Sequence, residues 1–178
     1  MALDATVKGA SANSYATRAN AVAYAGDRLG QSAWSAASDS DKDKSLIMAT
    51  RYLDQLLWRG EKTTSTQALS FPRKYVPDPD STASYWGQNI RLRQDHFDSD
   101  TIPNRVLFGV YELSFRVFSD NELLGDPSLK QFRNVNISGV LSIDVDRAGL
   151  TRILDRNILN FISPLLTSGD AYSVKLRR

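Results

Sequence analysis

The stretch Ser38–Arg73, SDSDKDKSLIMATRYLDQLLWRGEKTTSTQALSFPR, decides the fold. Ser38 can cap a helix N-terminus, and Asp39, Asp41 and Asp43 follow in the first turns, where the helix dipole favours negative charge. Leu46, Thr50, Leu53 and Leu57 then recur at helical spacing, and Ile47, Ala49 and Leu56 widen the stripe to a buriable face. Gly60 is the expected stop. A short helical turn over Ser65–Leu69 is expected to lead into Phe71-Pro72-Arg73, where proline forbids the helical region to Phe71 and turns the chain. The stretch reads as the central helix of a small bundle, closed by an aromatic–proline corner.

Upstream, residues 1–14 are small and polar and are expected to be a flexible N-terminus. Thr17 caps an expected first helix from Arg18 to about Leu29, with Val22, Ala25 and Leu29 as its stripe and Gly30 as its stop. Trp34 sits in the connection and reads as a core plug. The helical core thus spans 17–73.

Downstream, residues 74–102 lose the helical rhythm and are rich in turn-forming proline, aspartate and serine. This inserted loop carries Tyr75, Tyr85, Trp86 and Phe97, which either form a contact surface or fold back onto the bundle. Pro103 opens a core helix over 103–124, with Val106, Val110, Leu113 and Val117 inward, Leu107 and Phe118 beside them, and Glu112–Arg116 as a surface pair. Over 131–146 the period changes to two. Val135 and Ile137, then Leu141, Ile143 and Val145, alternate around Ser138-Gly139 as a β-hairpin. A last helix over 150–166 has Leu150, Ile153, Leu154, Ile158, Phe161, Ile162 and Leu165 apolar, with Pro164 near its end. Residues 167–178 form a C-terminal arm. The fold class expected is mainly α: about four helices in one domain, with a hairpin, a long inserted loop and an extended arm.

Composition narrows the function. The chain has 178 residues, 42% hydrophobic and 24% charged, an ordinary globular balance able to bury one core. A formal charge of +2 gives no broad basic field. There is no cysteine, so disulfides, thiolate catalysis and cysteine zinc sites are excluded, and a reducing cytoplasm fits. No basic-then-apolar leader opens the sequence, and no apolar run approaches the roughly 20 residues of a membrane helix.

Catalytic constellations do not assemble. The single histidine, His96, lies beside Asp95 and Asp98, but neighbours in one polar loop need a third partner to hold a metal. No nucleophile elbow, dinucleotide fingerprint or phosphate loop is present. No enzyme activity, cofactor or metal is expected. The candidate partner residues are Tyr85, Trp86, Arg91, Arg93 and Phe97 in the loop and Tyr172, Lys175, Arg177 and Arg178 in the arm. Aromatics interleaved with Arg91 and Arg93 suit a single strand, although such charges also serve as a solvated face. The basic tail suits an acidic groove equally well. Trp58, Arg59, Phe71, Pro72 and Arg73 are read as a structural corner, with Arg73 paired to a carboxylate and Trp58 and Arg59 stacked at the bundle end.

An ordered series runs through these segments: Asn13-Ser14-Tyr15, Tyr24, Trp34, Leu46-Ile47-Met48-Ala49-Thr50-Arg51-Tyr52-Leu53-Asp54, Trp58-Arg59-Gly60, Gln67-Ala68-Leu69-Ser70-Phe71-Pro72-Arg73, Ile102-Pro103 and Glu112-Leu113. It resembles small helical head–tail connector (adaptor) proteins of tailed bacteriophages, relatives of which often carry the label DnaT-like single-stranded DNA-binding protein. The resemblance covers roughly residues 13–118. It departs from the pattern at Phe71, where tryptophan is usual, in the length of the 74–101 excursion and in the C-terminal part. It implies a non-enzymatic virion protein made in the bacterial host cytoplasm. Copies would form a ring, commonly of twelve, under the portal, extend the channel for packaged double-stranded DNA and offer a platform to tail or nozzle proteins. Such a ring needs two different patches meeting on each subunit. The label itself implies the alternative: a single-stranded DNA-binding or replication accessory protein.

Overall fold

A computed structural model describes residues 2–80, 96–119, 132–136, 142–145 and 156–167. The central helix begins as the sequence dictates. Helix α3 spans Asp39–Asp54, and the Ser38 hydroxyl accepts a hydrogen bond from the Asp41 amide at 3.2 Å. Leu46, Ile47, Ala49, Thr50 and Leu53 are buried along it. It ends six residues before Gly60, so Leu56 and Leu57 lie beyond it; Leu56 is buried and Leu57 half-buried.

Helix α1 (Arg18–Gly26) is capped by the Thr17 hydroxyl, which accepts from Asn20 N at 3.3 Å. Its expected stripe needs correcting. Ala21 and Ala25 are buried, whereas Val22 is 47% exposed and Leu29 93% exposed. The helix stops short of Leu29, and small alanines allow its backbone to lie close to the core. Tyr24 supplies the bulk instead, with its ring 5.5, 4.9 and 6.1 Å from Phe108, Tyr111 and Phe115. The short helix α2 (Ser32–Ala36) carries Trp34 into the core. The Trp34 indole donates to Ser45 Oγ at 3.0 Å and meets Phe115 edge-on at 4.8 Å.

Helix α4 (Asn104–Ser119) packs most extensively on α3. Val106, Val110, Leu113 and Val117 are buried, with Leu107 and Phe118 half-buried beside them. Pro103 precedes the first turn, its carbonyl accepting from Val106 N at 2.9 Å and Leu107 N at 3.2 Å. Helix α5 (Arg156–Ile162) continues as a 3-10 turn, Ser163–Leu165, which contains Pro164. It packs on α4 and buries Ile158, Ile162 and Leu165. The chain then returns to the loop after α3: Arg59 N donates to Leu165 O and Thr167 N to Leu57 O, both at 2.9 Å.

Two small antiparallel ladders complete the description. Strands β1 (Glu61–Lys62) and β2 (Arg73–Lys74) pair Glu61 with Lys74 and Lys62 with Arg73. The helical turn expected over Ser65–Leu69 is absent. That segment is a bent loop, held by side-chain hydrogen bonds described below. Strands β3 (Phe132–Asn136) and β4 (Ser142–Val145) form the expected hairpin backbone, with Val135 opposite Ile143 and a register irregularity between Phe132 and Val135. Its Ser138-Gly139 turn, Ile137 and Leu141 lie outside the described residues, as do residues 120–131 and 150–155. The architecture is mostly helical, as expected, with five α-helices and an antiparallel hairpin among the described residues.

Residues 2–14, expected to be flexible, are held in place by hydrogen bonds. The Asp4 carbonyl accepts from Asn13 N and Ser14 N at 2.9 and 3.1 Å, and its carboxylate accepts from Thr6 N and Ser11 Oγ. These bonds, that from Thr6 first, lower the Asp4 pKa. Gly9 O accepts from Ala68 N at 3.0 Å, fixing the loop to the 65–69 segment. No described helix is long and apolar enough to cross a membrane.

Candidate functional site

The motif residues converge on one buried knot beneath the C-terminal end of α3. The Asp54 carboxylate accepts from the Tyr15 hydroxyl and from Ser70 N at 2.6 Å. Tyr15 Oη accepts from Phe71 N at 3.3 Å, and Tyr15 N donates to Thr50 Oγ1 at 3.2 Å. Burial first, then the Asp54 charge, push the Tyr15 pKa well above its usual value. Phe71 stands edge-on between Trp58 at 4.9 Å and Tyr15 at 6.2 Å, ahead of a cis peptide bond to Pro72. Gln67 donates to Leu69 O at 2.9 Å and Pro72 O at 3.0 Å, and accepts from Thr64 N. This network replaces the helical turn expected over Ser65–Leu69. A buried amide satisfied by three main-chain groups gives the loop its own set of hydrogen bonds in place of a helical turn.

Arg73 is the second centre of the knot. Its guanidinium donates to the carbonyls of Arg59, Ser70, Trp58 and Gly60 at 2.7, 3.3, 3.4 and 2.5 Å. Among the described residues it gathers four main-chain carbonyls. The bend through 58–60 turns several carbonyls inward, and a five-donor cation satisfies them together. Arg59 reaches Leu166 O at 2.8 Å instead of stacking, and the Trp58 indole donates to Leu53 O at 3.1 Å. Gly60 sits at φ +70, where a Cβ would meet Lys74 O at 2.0 Å. Trp58, Arg59, Phe71, Pro72 and Arg73 thus lie together in this corner. These polar groups are engaged with one another, which suits a folding device better than a reactive centre.

The candidate contact residues divide. Tyr85, Trp86, Arg91, Arg93, Tyr172, Lys175, Arg177 and Arg178 lie outside the described residues. Phe97 is half-buried and folds back to pack on the core, and its amide donates to Val76 O at 3.0 Å. His96 is exposed and bridges Pro77 across the base of the excursion. Asp98 accepts from Asp100 N at 2.9 Å, and Asp95 lies outside the described residues. Among the described residues no three His, Asp or Glu side chains are placed to hold a metal ion. Tyr75 is 66% exposed, holds φ +60 and meets His96 edge-on at 6.3 Å.

A second polar cluster escaped the sequence reading. Glu112 accepts from the Tyr24 hydroxyl at 2.8 Å and from Arg28 Nε at 2.5 Å, tying α1 to α4 in place of the expected surface pair with Arg116. The reason is reach: Glu112 lies on the side of α4 that faces α1 and is mostly shielded from solvent. Burial first, then the Glu112 hydrogen bond, push the Tyr24 pKa up to about 12. A cavity of about 200 Å³ adjoins this cluster, lined by Arg28, Gln31, Glu112, Arg116, Ser119 and Asn157 among others.

These features define a small, mostly helical protein with a side-chain-locked core and an exposed aromatic at the base of an excursion. The chain belongs to the family described as "Putative DnaT-like ssDNA binding protein", whose model matches residues 1–178. Neither a curated protein sequence nor a solved structure gives a match.

Proposed function

We propose that this protein acts by binding macromolecules, without catalysing a reaction, and that its partner is single-stranded DNA. The whole-length family match carries this reading. The charge of the chain qualifies how it would bind. A net charge of +2 gives no broad attraction for the strand, so binding would rest on local cations together with stacking of bases on aromatic rings. Titration of a labelled oligothymidylate at two salt concentrations tests this. A strand held mainly by stacking should lose less than about tenfold in affinity between 50 and 200 mM salt, as for about two phosphate contacts. A flat titration at low salt removes the reading.

A second reading is a phage head–tail connector. It draws on the ordered motifs that resemble connector proteins, several of which meet in the hydrogen-bonded corner around Asp54 and Arg73. On this reading twelve copies form a ring that meets portal and tail proteins and lets packaged DNA pass without recognition. The modest charge suits a lumen along which DNA slides. Mass measurement and particle imaging, with and without a portal, test it. A monomer that forms no portal-bound assembly rejects it.

A further inference from the structure

We infer that Tyr75 is a base-stacking residue of this protein, an inference that rests on the single-stranded DNA reading. Its backbone is where the argument starts. Arg73 must enter the carbonyl knot and Val76 must enter the core, where it is fully buried. The left-handed conformation of Tyr75, φ +60, lies between these two inward residues. The fold requires that backbone conformation and makes little use of the side chain. Glycine or asparagine adopts it at low cost, whereas a residue with a bulky side chain is strained there. The Tyr75 ring does not offset that strain by burial, since 66% of the residue is exposed. Backbone strain maintained at an exposed aromatic points to a role in contact.

The surroundings favour a base over a phosphate. Among the described residues the large exposed hydrophobic side chains are Val7, Val22, Leu29 and Tyr75, and only Tyr75 offers a π face. His96 flanks it at 6.3 Å. The nearby carboxylates are engaged locally: Asp80 with Arg105, Asp100 with Lys8, and Asp78 and Asp98 with amides of their own turns. The Lys8 hydrogen bond first, then the Lys8 charge, and last the charge of Lys74, lower the Asp100 pKa. With these carboxylates engaged, a strand at Tyr75 would be held by its base.

Tyr75→Gly and Tyr75→Trp in the full chain test this, with labelled oligothymidylate as the probe and thermal unfolding alongside. Tyr75→Gly should melt at or above the wild-type temperature, because relief of strain offsets the added freedom of the unfolded chain. Its oligonucleotide affinity should fall roughly 5- to 150-fold, as expected for one stacked base, with the salt slope unchanged. Tyr75→Trp should bind at least as well as wild type. If wild type binds and Tyr75→Gly binds within about twofold of it, the assignment of Tyr75 is wrong while the DNA reading survives. If Tyr75→Gly melts lower and loses binding in proportion, the ring is structural and the inference is overturned. If wild type itself does not bind, both readings fall, and a Tyr75→Gly defect confined to self-assembly or portal binding would assign the ring to a protein interface.

Discussion

Replacing Gly60 with alanine separates backbone conformation from packing, because Gly30 provides a control. Both glycines have positive φ, +70 and +81. A Cβ at Gly30 meets nothing within 4 Å, so only the left-handed conformation is penalised, at about 1 kcal/mol after allowing for the stiffer unfolded chain. A Cβ at Gly60 would lie 2.0 Å from Lys74 O and 3.0 Å from Val76 Cγ2. Real Cβ atoms essentially never come closer than 3.0 Å, so the Lys74 carbonyl must retreat by at least 3.0 − 2.0 = 1.0 Å. That shift pulls β2 off β1 and strains the bonds from Arg73 to the Gly60 and Arg59 carbonyls. Two weakened charge-assisted bonds and the conformational term sum to about 3–6 kcal/mol. For a chain of this size that lowers the melting temperature by roughly 6–24 °C, against roughly 2–4 °C for Gly30→Ala. Urea unfolding followed by circular dichroism gives both values on one scale. If the two variants differ by less than about 1 kcal/mol, the packing account of the corner is wrong.

Leu53→Ala should cost about 2–5 kcal/mol, since Leu53 is fully buried, whereas Leu29→Ser should stay within about 0.5 kcal/mol. Tyr15→Phe removes the hydroxyl that joins Asp54 to Phe71 N, and urea titration should show a loss of about 1–3 kcal/mol. Stability should decline as pH rises through the tyrosine range. Tyr15 is raised well above 10, and Tyr24 and Tyr52 lie at about 12, so the unfolded chain releases these protons first. The contribution is complete below about pH 10 and is lost as pH climbs toward about 12, with tyrosinate absorbance for these residues appearing together with unfolding. Tyrosinate absorbance rising fully before any unfolding would contradict the burial of Tyr15.

Much of the fold is legible in local sequence. Thr17 and Ser38 are caps because their hydroxyls reach amides three residues on, a distance written in the chain itself. The α4 stripe follows from the 3.6-residue period, and the β3–β4 backbone pairing from the period of two around Ser138-Gly139. Trp34 reads as a core plug because so large an apolar ring in a connection has to bury itself. The candidate site was less legible. Phe97 looked like its loop neighbours, yet its amide joins Val76 and its ring returns to the core. Nothing local distinguishes Tyr75 from the other loop aromatics, because its left-handed backbone is imposed by Arg73 and Val76 turning inward on either side.

The sequence alone determined where α1 and α3 begin, which face of α4 is buried and that the chain carries no cysteine chemistry, because these depend on residues within a turn or two of each other or on composition. Tertiary structure alone decided that Asp54 meets Tyr15 across 39 residues, that Arg28 meets Glu112 across 84, and that Arg73 gathers carbonyls. Each of those contacts depends on how separate elements approach in space. A one-dimensional pattern fixes spacing along an element but not the distance between two of them.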